Sequence, residues 1–433
     1  MRILILSCIL IMTGGAYMKL QAQDVSDSLL AKQGDSDSLL AEQKDISDVV
    51  RSIFKKPPKE EKEQHTSVAI LPVLGYNPSF GFNIGVNVVA GKQFGLKSNT
   101  IYSVFNVSFS YSTKQVVPLR ARHNMFTPGN KWNWQGDWQI SRMGLVDYGS
   151  GTGQNDKIKE AFSFYGIPTE NLDSAFPIKH NYLKLLEKAY RKVGKYLYVG
   201  GGVAFDVYTD IKDEKLTETR VTPHRLYSRR NDYDSSKYSA NGLLLALQFN
   251  SRDHPVRSYG GIYADVNLRF NQTWMGSTKN AIQFIYDFRE YFSLSERNPE
   301  HVLAFWQWGS FKMDGAIPYL EMPGTAHDTY NRSGRGYTFG RFKGPSYACF
   351  ETEYRFPILA NKLIAGVAFF NLQTASNDLS GNFSKKVFNY WESGYGAGVR
   401  ILFNKKSRSA LCVDFARGAN GANGVFCGLN EVF

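Results

Sequence analysis

The side chains that most often do catalytic or metal chemistry are few and scattered in this chain. Seven histidines occur among 433 residues, and neither His254 nor His327 has a second metal ligand at a suitable spacing. Serine and aspartate are present, but the sequence has no Gly-x-Ser-x-Gly turn to expose a nucleophilic serine. The sequence therefore predicts no enzyme, no cofactor and no metal site, so the charged side chains must serve binding or structure.

The first residues predict export from the cytoplasm. Arg2 precedes a short apolar stretch, residues 3–12, and a cleavage site is available at residues 20–22. This stretch is too short to span a bilayer and is typical of a secretory signal peptide, predicted here as residues 1–22. No later apolar run reaches the length of a membrane helix. The exported chain is therefore expected to be either a soluble protein or a β-barrel.

The composition excludes some classes of partner. The net charge of +12 is spread along the chain, with no basic block that alternates with stacking aromatics, so we expect no nucleic-acid partner. A basic surface would instead suit anionic lipid headgroups. Three cysteines remain after the predicted cleavage, and an odd number in an exported chain argues against a disulfide framework.

The segment that follows, residues 23–65, is predicted to be a periplasmic linker. It is polar and contains a near-repeat of ten residues that begins at Asp27 and again at Asp37, before a charged run at residues 55–63. The segment is shorter than the ~50 residues of an ordinary small domain. Its composition predicts a disordered or partly helical chain. A docking peptide for a partner protein is the alternative interpretation.

From about residue 66, polar and apolar residues alternate with a period of two, which is typical of strands with two unlike faces. A soluble antiparallel sheet with one wet face gives the same pattern. Here, however, the apolar positions carry large aromatics, the polar positions carry charges, and the segments have about ten residues, the length of a tilted membrane strand. The alternation is clearest at residues 105–111, 132–140, 264–271 and 282–289.

Counting such segments predicts sixteen strands, an even number as in bacterial single-chain barrels. Short connections alternate with long ones, which places both termini on the periplasmic side. The sequence thus predicts an all-β fold: a 16-stranded antiparallel transmembrane β-barrel over residues 66–433, integral to the outer membrane. The predicted strands centre near residues 71, 86, 105, 120, 137, 185, 203, 244, 267, 287, 306, 351, 368, 398, 412 and 428.

Three short motifs then occur in a fixed order. They are Phe-Asn-Ser-Arg-Asp-His-Pro at residues 249–255, Ser-Gly-Arg-Gly-Tyr at residues 333–337, and Phe-Glu-Thr-Glu-Tyr-Arg-Phe-Pro at residues 350–357. Together with the aromatic residue Phe433, the ordered set resembles the BamA/TamA family of outer-membrane proteins (the bacterial surface antigen family). The resemblance covers the predicted barrel, residues 66–433.

The resemblance implies that a long extracellular loop folds back into the barrel lumen. Its tip would be Arg335-Gly336-Tyr337, docked on the inner wall. A planar guanidinium can bind a wall carboxylate through two hydrogen bonds, and Glu353 is the first choice of partner, with Glu351 next. Gly336 would permit a close backbone approach. A solvated arginine in a glycine-rich loop is the alternative.

The chain also departs from the family pattern. Asn371 and Gln373 stand where family members often carry Asp and Gly, so Asn371 would offer hydrogen bonds but no ion pair. The linker is too short for the periplasmic POTRA domains that receive clients in BamA and TamA. The motif residues Arg252, Asp253 and Pro255 are expected to form a tight periplasmic turn with a structural role.

The predicted function is assistance with the insertion or passage of proteins or lipids through the outer membrane. Its basis would be a weak seam between the first and last strands: Pro72 removes a backbone donor, Gly428 provides a kink, and Phe433 closes the last strand. The alternative is a passive pore plugged by loop 314–344. The expected partners are outer-membrane lipids and, for the first function, client proteins or an envelope partner protein.

Overall fold

A computed structural model gives the structure of most of the chain. It describes residues 43–55, 66–77, 81–96, 100–153, 176–217, 221–379, 384–405, 408–419 and 421–433. The predicted signal peptide, residues 1–22, lies outside the described residues, and so does most of the predicted linker.

The described residues form one sheet whose strands pair antiparallel in the order of the chain, from β1 to β16. The predicted all-β fold is therefore confirmed. The strands are β1 Thr66–Asn77, β2 Gly81–Lys92, β3 Ser103–Ser112, β4 Val117–Phe126, β5 Trp132–Asp147, β6 Phe176–Lys192, β7 Leu197–Asp213, β8 Tyr238–Asn250, β9 Gly261–Asn271, β10 Ala281–Ser293, β11 Val302–Gly315, β12 Ser346–Pro357, β13 Ile364–Ala375, β14 Glu392–Asn404, β15 Ser409–Gly418 and β16 Asn423–Leu429.

The two faces of the sheet are reversed relative to a soluble protein. In β5 the apolar residues Trp132, Trp138 and Ile140 are exposed, whereas Asn133 and Asp137 are buried. A soluble sheet would bury its apolar face, because burial of that surface is the main favourable term in folding. The exposed face instead suits lipid, and the polar face lines an interior.

The connections fall into two sets. One end of the sheet, named here the short-turn end, carries most of the shorter connections, including residues 127–131 and 193–196. The other, named the long-loop end, carries the longest ones at residues 148–175, 214–237, 316–345 and 376–391. The long connections have enough chain to enter the interior, and loop 316–345 does so.

Helices are a minor part of the described chain. α1 is Ile46–Ile53 and α2 is Pro223–Arg230, and single 3-10 turns lie at Pro128–Asn130, Thr273–Met275 and Tyr319–Glu321. In the part of the chain that the structure describes, no helix is both long enough and apolar enough to cross a membrane.

The described part of the predicted linker is folded against the sheet, which differs from a wholly disordered linker. Asp45 and Asp48 form a reciprocal capping box that begins α1. The backbone N–H of Lys44 donates to Asn361 O (3.0 Å), and Lys405 Nζ lies 3.0 Å from Asp48 Oδ2. These contacts hold α1 on the turns β12–β13 and β14–β15 at the short-turn end.

Candidate functional site

The loop between β11 and β12 places Arg335 in the interior, against the wall formed by β12 to β15. Its guanidinium donates to Glu351 (Nε to Oε1, 3.0 Å), to Glu353, and to Asp414 (Nη1 to Oδ2, 2.7 Å). All four side chains are almost fully buried. Burial alone would lower the pKa of Arg335, but the attraction of Glu351, Glu353 and Asp414 raises it, so the arginine stays charged.

The Arg335 cluster continues along the wall as an alternating chain of charges. Glu353 Oε1 lies 2.6 Å from Arg355 Nε, and Asp414 also pairs with Arg400. Arg400 Nε in turn lies 2.7 Å from Glu431 Oε2. Because each buried charge has an opposite neighbour, the cluster avoids the large cost of an isolated buried ion.

Neutral groups complete the cradle of the loop tip. The Arg335 guanidinium lies 3.5 Å from the ring centroid of Phe369, a cation–π contact. Asn371 Nδ2 donates to the Arg335 carbonyl (2.9 Å), so this residue holds the loop backbone. The departure from Asp at this position is therefore accommodated without an ion pair.

The next two tip residues dock on β14 and β15. Gly336 has φ +105°, and an added Cβ would lie 2.9 Å from Arg417 O, so both the conformation and the space require glycine. The Tyr337 hydroxyl donates to Ser393 O (2.6 Å) and accepts from the Ala419 N–H (2.7 Å).

The same loop also reaches the opposite wall. Thr329 O accepts from Arg120 (2.8 Å) and Arg122 (3.2 Å) of β4, and the Arg122 guanidinium lies 5.1 Å from the Tyr330 ring. Arg120 is itself paired with Asp137 through two 2.6 Å bonds. The loop therefore crosses the interior from β4 to the wall of β12 to β15.

Above this crossing, a cluster of aromatic side chains caps the long-loop end. α2 packs there against the 3-10 turn of the same loop, and Tyr227 OH donates to Ile317 O (2.7 Å). Glu321 of that turn accepts from Tyr208 OH (2.6 Å) and Arg269 (2.9 Å). Burial, with a contribution from nearby Asp206, raises the pKa of Glu321 to about 7.

The predicted tight turn at Arg252, Asp253 and Pro255 lies at the short-turn end and has structural contacts. Asp253 Oδ1 accepts from the N–H groups of Tyr259 (2.9 Å) and Gly260 (3.2 Å). Arg252 donates to Asn250 Oδ1 (3.1 Å) and Pro255 O (3.4 Å).

The turn also reaches across the short-turn end. Asp253 Oδ2 lies 2.6 Å from Arg408 of the turn β14–β15, which places β8–β9 beside a distant part of the sheet. Contacts between opposite walls thus occur at both ends and in the middle of the interior.

The end of the chain does not close the last strand in the predicted way. β16 ends at Leu429, so Gly428 lies within the strand, opposite Cys412, and the residue after the strand, Asn430, has a left-handed φ of +68°. The tail then enters the interior: Phe433 is 5% exposed, stacks on Trp306 with centroids 5.2 Å apart, and accepts from Arg355 through its carbonyl oxygen (2.7 Å). Phe433 therefore does not extend the last strand, because buried aromatic and charged partners are available inside.

A loop residue just before the tip holds this tail. Arg332 donates to the carbonyl oxygens of Leu429, Asn430 (2.8 Å) and Glu431. Glu431 in turn pairs with Arg400, and its Oε1 lies 3.3 Å from Arg257 Nε. The loop and the tail are therefore one connected assembly.

β1 and β16 stand at the two ends of the sheet order, with Cα atoms of the two strands within 8 Å. In the described chain no backbone ladder joins them. β16 has seven residues and β1 has twelve, so part of β1 has no strand beside it on this side. Pro72 lies within β1, opposite Val86 of β2.

Sequence reasoning missed several residues of the assembly, namely Asp414, Arg332, Arg400, Glu431 and Arg257. Asp414 gave one signal, because it is the only acid in β15 and alternates with Cys412 and Ala416 toward the interior. The other four either belong to the tail or contact it, and no local sequence pattern predicts the path of the tail.

Comparison with known proteins identifies a family for this chain and structures with a similar fold. The profile of the Omp85 superfamily domain matches residues 73–405. The fold is similar to BamA from Haemophilus ducreyi lacking POTRA domains 1–3, with TM-score 0.52 and 11% identity, over 86% of this chain and 70% of that one.

It is also similar to CdiB from Escherichia coli, with TM-score 0.51 and 8% identity, over 86% of this chain and 63% of that one. CdiB from Acinetobacter baumannii aligns with TM-score 0.48 and 11% identity, over 85% and 59% of the two chains. The chain thus spans about three fifths of each CdiB structure. No curated protein sequence matches the chain. Because the superfamily profile covers most of its residues, the chain belongs to the Omp85 superfamily of outer-membrane proteins.

Proposed function

We propose that this chain is a non-catalytic outer-membrane barrel that assists the insertion or passage of proteins or lipids, and that the structure corresponds to its plugged resting state. In this proposal β1 meets β16 to close a sixteen-stranded barrel, and both termini lie on the periplasmic side. The superfamily membership and the outward-facing apolar surface support the placement in the membrane.

The observation that carries the proposal is the unequal seam. β16 is shorter than β1, and the tail beyond Leu429 leaves the sheet for the interior. An unpaired strand edge presents free backbone N–H and C=O groups, which can pair with an incoming strand. Part of β1 therefore offers a template where the first and last strands of the described chain share no ladder.

A covalent lock across the seam tests this function. Cys427 of β16 is exposed, whereas Cys349 and Cys412 are buried and can be replaced by alanine. Cysteines placed singly at the exposed positions 68, 70 and 72 of β1 would be joined to Cys427 with a short bifunctional crosslinker. We expect the locked protein in liposomes to lose its acceleration of folding of an added, unfolded eight-stranded barrel protein.

The matched control places the same crosslink inside a paired hairpin. Val413 lies opposite Cys427 in the β15–β16 register, so Val413→Cys joins two strands that are already paired and leaves the seam free. This control should retain the activity of the unlocked protein. If the seam-locked protein accelerates client folding as well as the control, opening of the seam has no role.

A passive pore is the second candidate, because loop 316–345 crosses the interior between two walls. Deletion of residues 333–338 would then raise the single-channel conductance in planar bilayers. A protein that stays closed both with and without these residues would contradict the pore.

A further inference from the structure

A second site lies at the short-turn end, at the margin of the sheet. Two neighbouring turns, β4–β5 and β6–β7, enclose an open cleft of about 600 Å³, lined by Lys131, Trp132, Arg191, Lys192, Val193 and Gly194. It is far along the sheet from the Arg335 cluster on β12 to β15 and uses none of its residues.

Backbone contacts build the cleft. The Lys192 N–H donates to Lys131 O (2.9 Å), which ties the two turns together. The N–H groups of Val193 (2.9 Å) and Gly194 (3.2 Å) both donate to Leu197 O and close the second turn tightly. These bonds fix the backbone of the two turns. Arg191 lies beside Trp132 on the exposed face, and Lys192 follows at the end of β6 on the face of Tyr198.

The charge of the cleft is not compensated by the protein. Lys131, Arg191 and Lys192 form no ion pair within the described residues. The sequence explains this, because no Asp or Glu occurs at residues 64–136 or 188–205. Three neighbouring cations without a carboxylate attract an anion, since like charges at close range repel each other.

Apolar surface borders the same cations. Trp132 is 40% exposed and Val193 is 57% exposed, and the Arg191 guanidinium lies 5.9 Å from the Trp132 ring centroid. Trp134 continues the aromatic surface, 6.4 Å from Trp132. Exposed tryptophans of this kind prefer the headgroup level of a membrane, where one part of the ring is wet and the other apolar.

The same pairing of a cation with an aromatic ring recurs along this end of the sheet. Lys92 Nζ lies 5.2 Å from the Phe94 ring, and Lys195 Nζ lies 5.0 Å from the Tyr196 ring. The cleft is thus part of a basic and aromatic rim.

We propose that this cleft binds the phosphate of an anionic phospholipid, with Lys131 and Arg191 at the headgroup, Lys192 at the margin of the cleft, and the acyl chains on Trp132 and Val193. A soluble anion would need the cations alone, whereas the adjoining exposed apolar surface fits a ligand with a lipid tail. The inference rests on the proposed orientation in the membrane, which sets the short-turn end at the periplasmic leaflet.

The test uses the full-length protein in a zwitterionic detergent. Phosphatidylglycerol or phosphatidylcholine is titrated, and native mass spectrometry counts the bound lipids. The triple variant Lys131→Gln, Arg191→Gln, Lys192→Gln is compared with a control that removes three exposed cations at the long-loop end, Lys114→Gln, Lys212→Gln, Lys237→Gln. Both variants change the net charge equally.

We expect the wild type and the control to prefer phosphatidylglycerol, and the cleft variant to bind it more weakly by roughly fivefold for each cation removed. Inorganic phosphate at millimolar concentration should not displace the lipid. Equal binding by both variants, no preference for phosphatidylglycerol in the wild type, or full displacement by phosphate would each overturn the proposal.

Two further measurements keep the outcome clear. Folding of both triple variants is checked by heat-modifiable migration in gels, and the single variant Lys131→Gln replaces the triple if that one does not fold. Lipid binding is read without any client protein. Failure of this site and failure of the proposed insertion function therefore give different results.

Discussion

The two walls that hold the plugging loop differ in how they do so. On the wall of β12 to β15, Arg335 meets three buried carboxylates, and the charges continue to Arg400 and Glu431. On the β4 wall, Arg120 and Arg122 donate to the neutral Thr329 carbonyl, and Arg122 lies over the Tyr330 ring. Both kinds of bond have a charged donor, but only the carboxylates of the first wall add the attraction of an opposite full charge. The tip of the loop is therefore held more strongly by the wall of β12 to β15 than its Thr329–Tyr330 segment is by β4, whereas Lys343 and Glu321 tie other parts of the loop to Asp147 of β5 and Arg269 of β9.

The strongest test of this difference removes the ionic anchor. Arg335→Ala removes the cation that pairs with buried Glu351 and leaves Glu353 and Asp414 with Arg355 and Arg400 alone, and loss of one partner from a buried ionic cluster costs about 3–5 kcal/mol. We expect a large decrease in the urea concentration at which the protein unfolds in detergent. Arg335→Lys keeps the charge but cannot form the bidentate hydrogen bonds of a guanidinium, so its stability should lie between that of Arg335→Ala and that of the wild type. An unchanged transition for Arg335→Ala would contradict the assignment.

The second test concerns the tail that lies against the same wall. Phe433→Ala empties the space between Trp306 and Tyr291 and should cost about 3 kcal/mol, the lower end for a buried phenylalanine because neighbouring side chains can collapse. The measurement is the thermal unfolding midpoint. Phe415→Ala is the control, because Phe415 lies on the exposed face of β15 and should change stability much less in detergent. Equal shifts would mean that the tail contributes no specific packing.

A third test uses pH at the cap of the long-loop end. The folded pKa of Glu321, about 7, lies above its ordinary value, so its protonated form is favoured on folding. This stability is present at pH 5 and is lost as the pH rises through 7. One pKa unit corresponds to about 1.4 kcal/mol, so the unfolding midpoint should fall between pH 5 and pH 8. Glu321→Gln should reduce the pH dependence of the unfolding midpoint. An equally steep pH dependence in the variant would mean that another titrating group causes it.

The smallest expected effect is on the β4 wall. Arg122→Ala removes one 3.2 Å bond to a carbonyl and one cation–π contact, together about 1 kcal/mol or less. We expect near-normal unfolding but faster proteolysis at the loop segment around Tyr330. If Arg122→Ala destabilised the protein as much as Arg335→Ala, the two walls would hold the loop equally.

Much of the fold was readable from the sequence, because a strand between lipid and a polar interior must alternate with a period of two. The docking of the tip Arg335 on Glu353 or Glu351 was implied by the family resemblance, and all three side chains meet in the structure. The path of the tail did not follow, because alternation continues through Phe426 and Gly428 toward the end. The partners Arg400 and Trp306 lie distant in sequence, and only Asn430, a residue type that tolerates a left-handed conformation, marks the bend.

The anchoring of α1 has a consequence for how far β1 can move from β16. The chain leaves α1 and reaches β1 at Thr66, and β1 is the strand at the seam. The α1 segment is bound to turns of the wall of β12 to β15 through Lys44 and Asp48. The connection from Lys55 to Thr66 spans at most roughly 40 Å when fully extended. This segment of chain links β1 to the turns that bind α1. Its length sets an upper limit on the distance by which β1 can separate from β16.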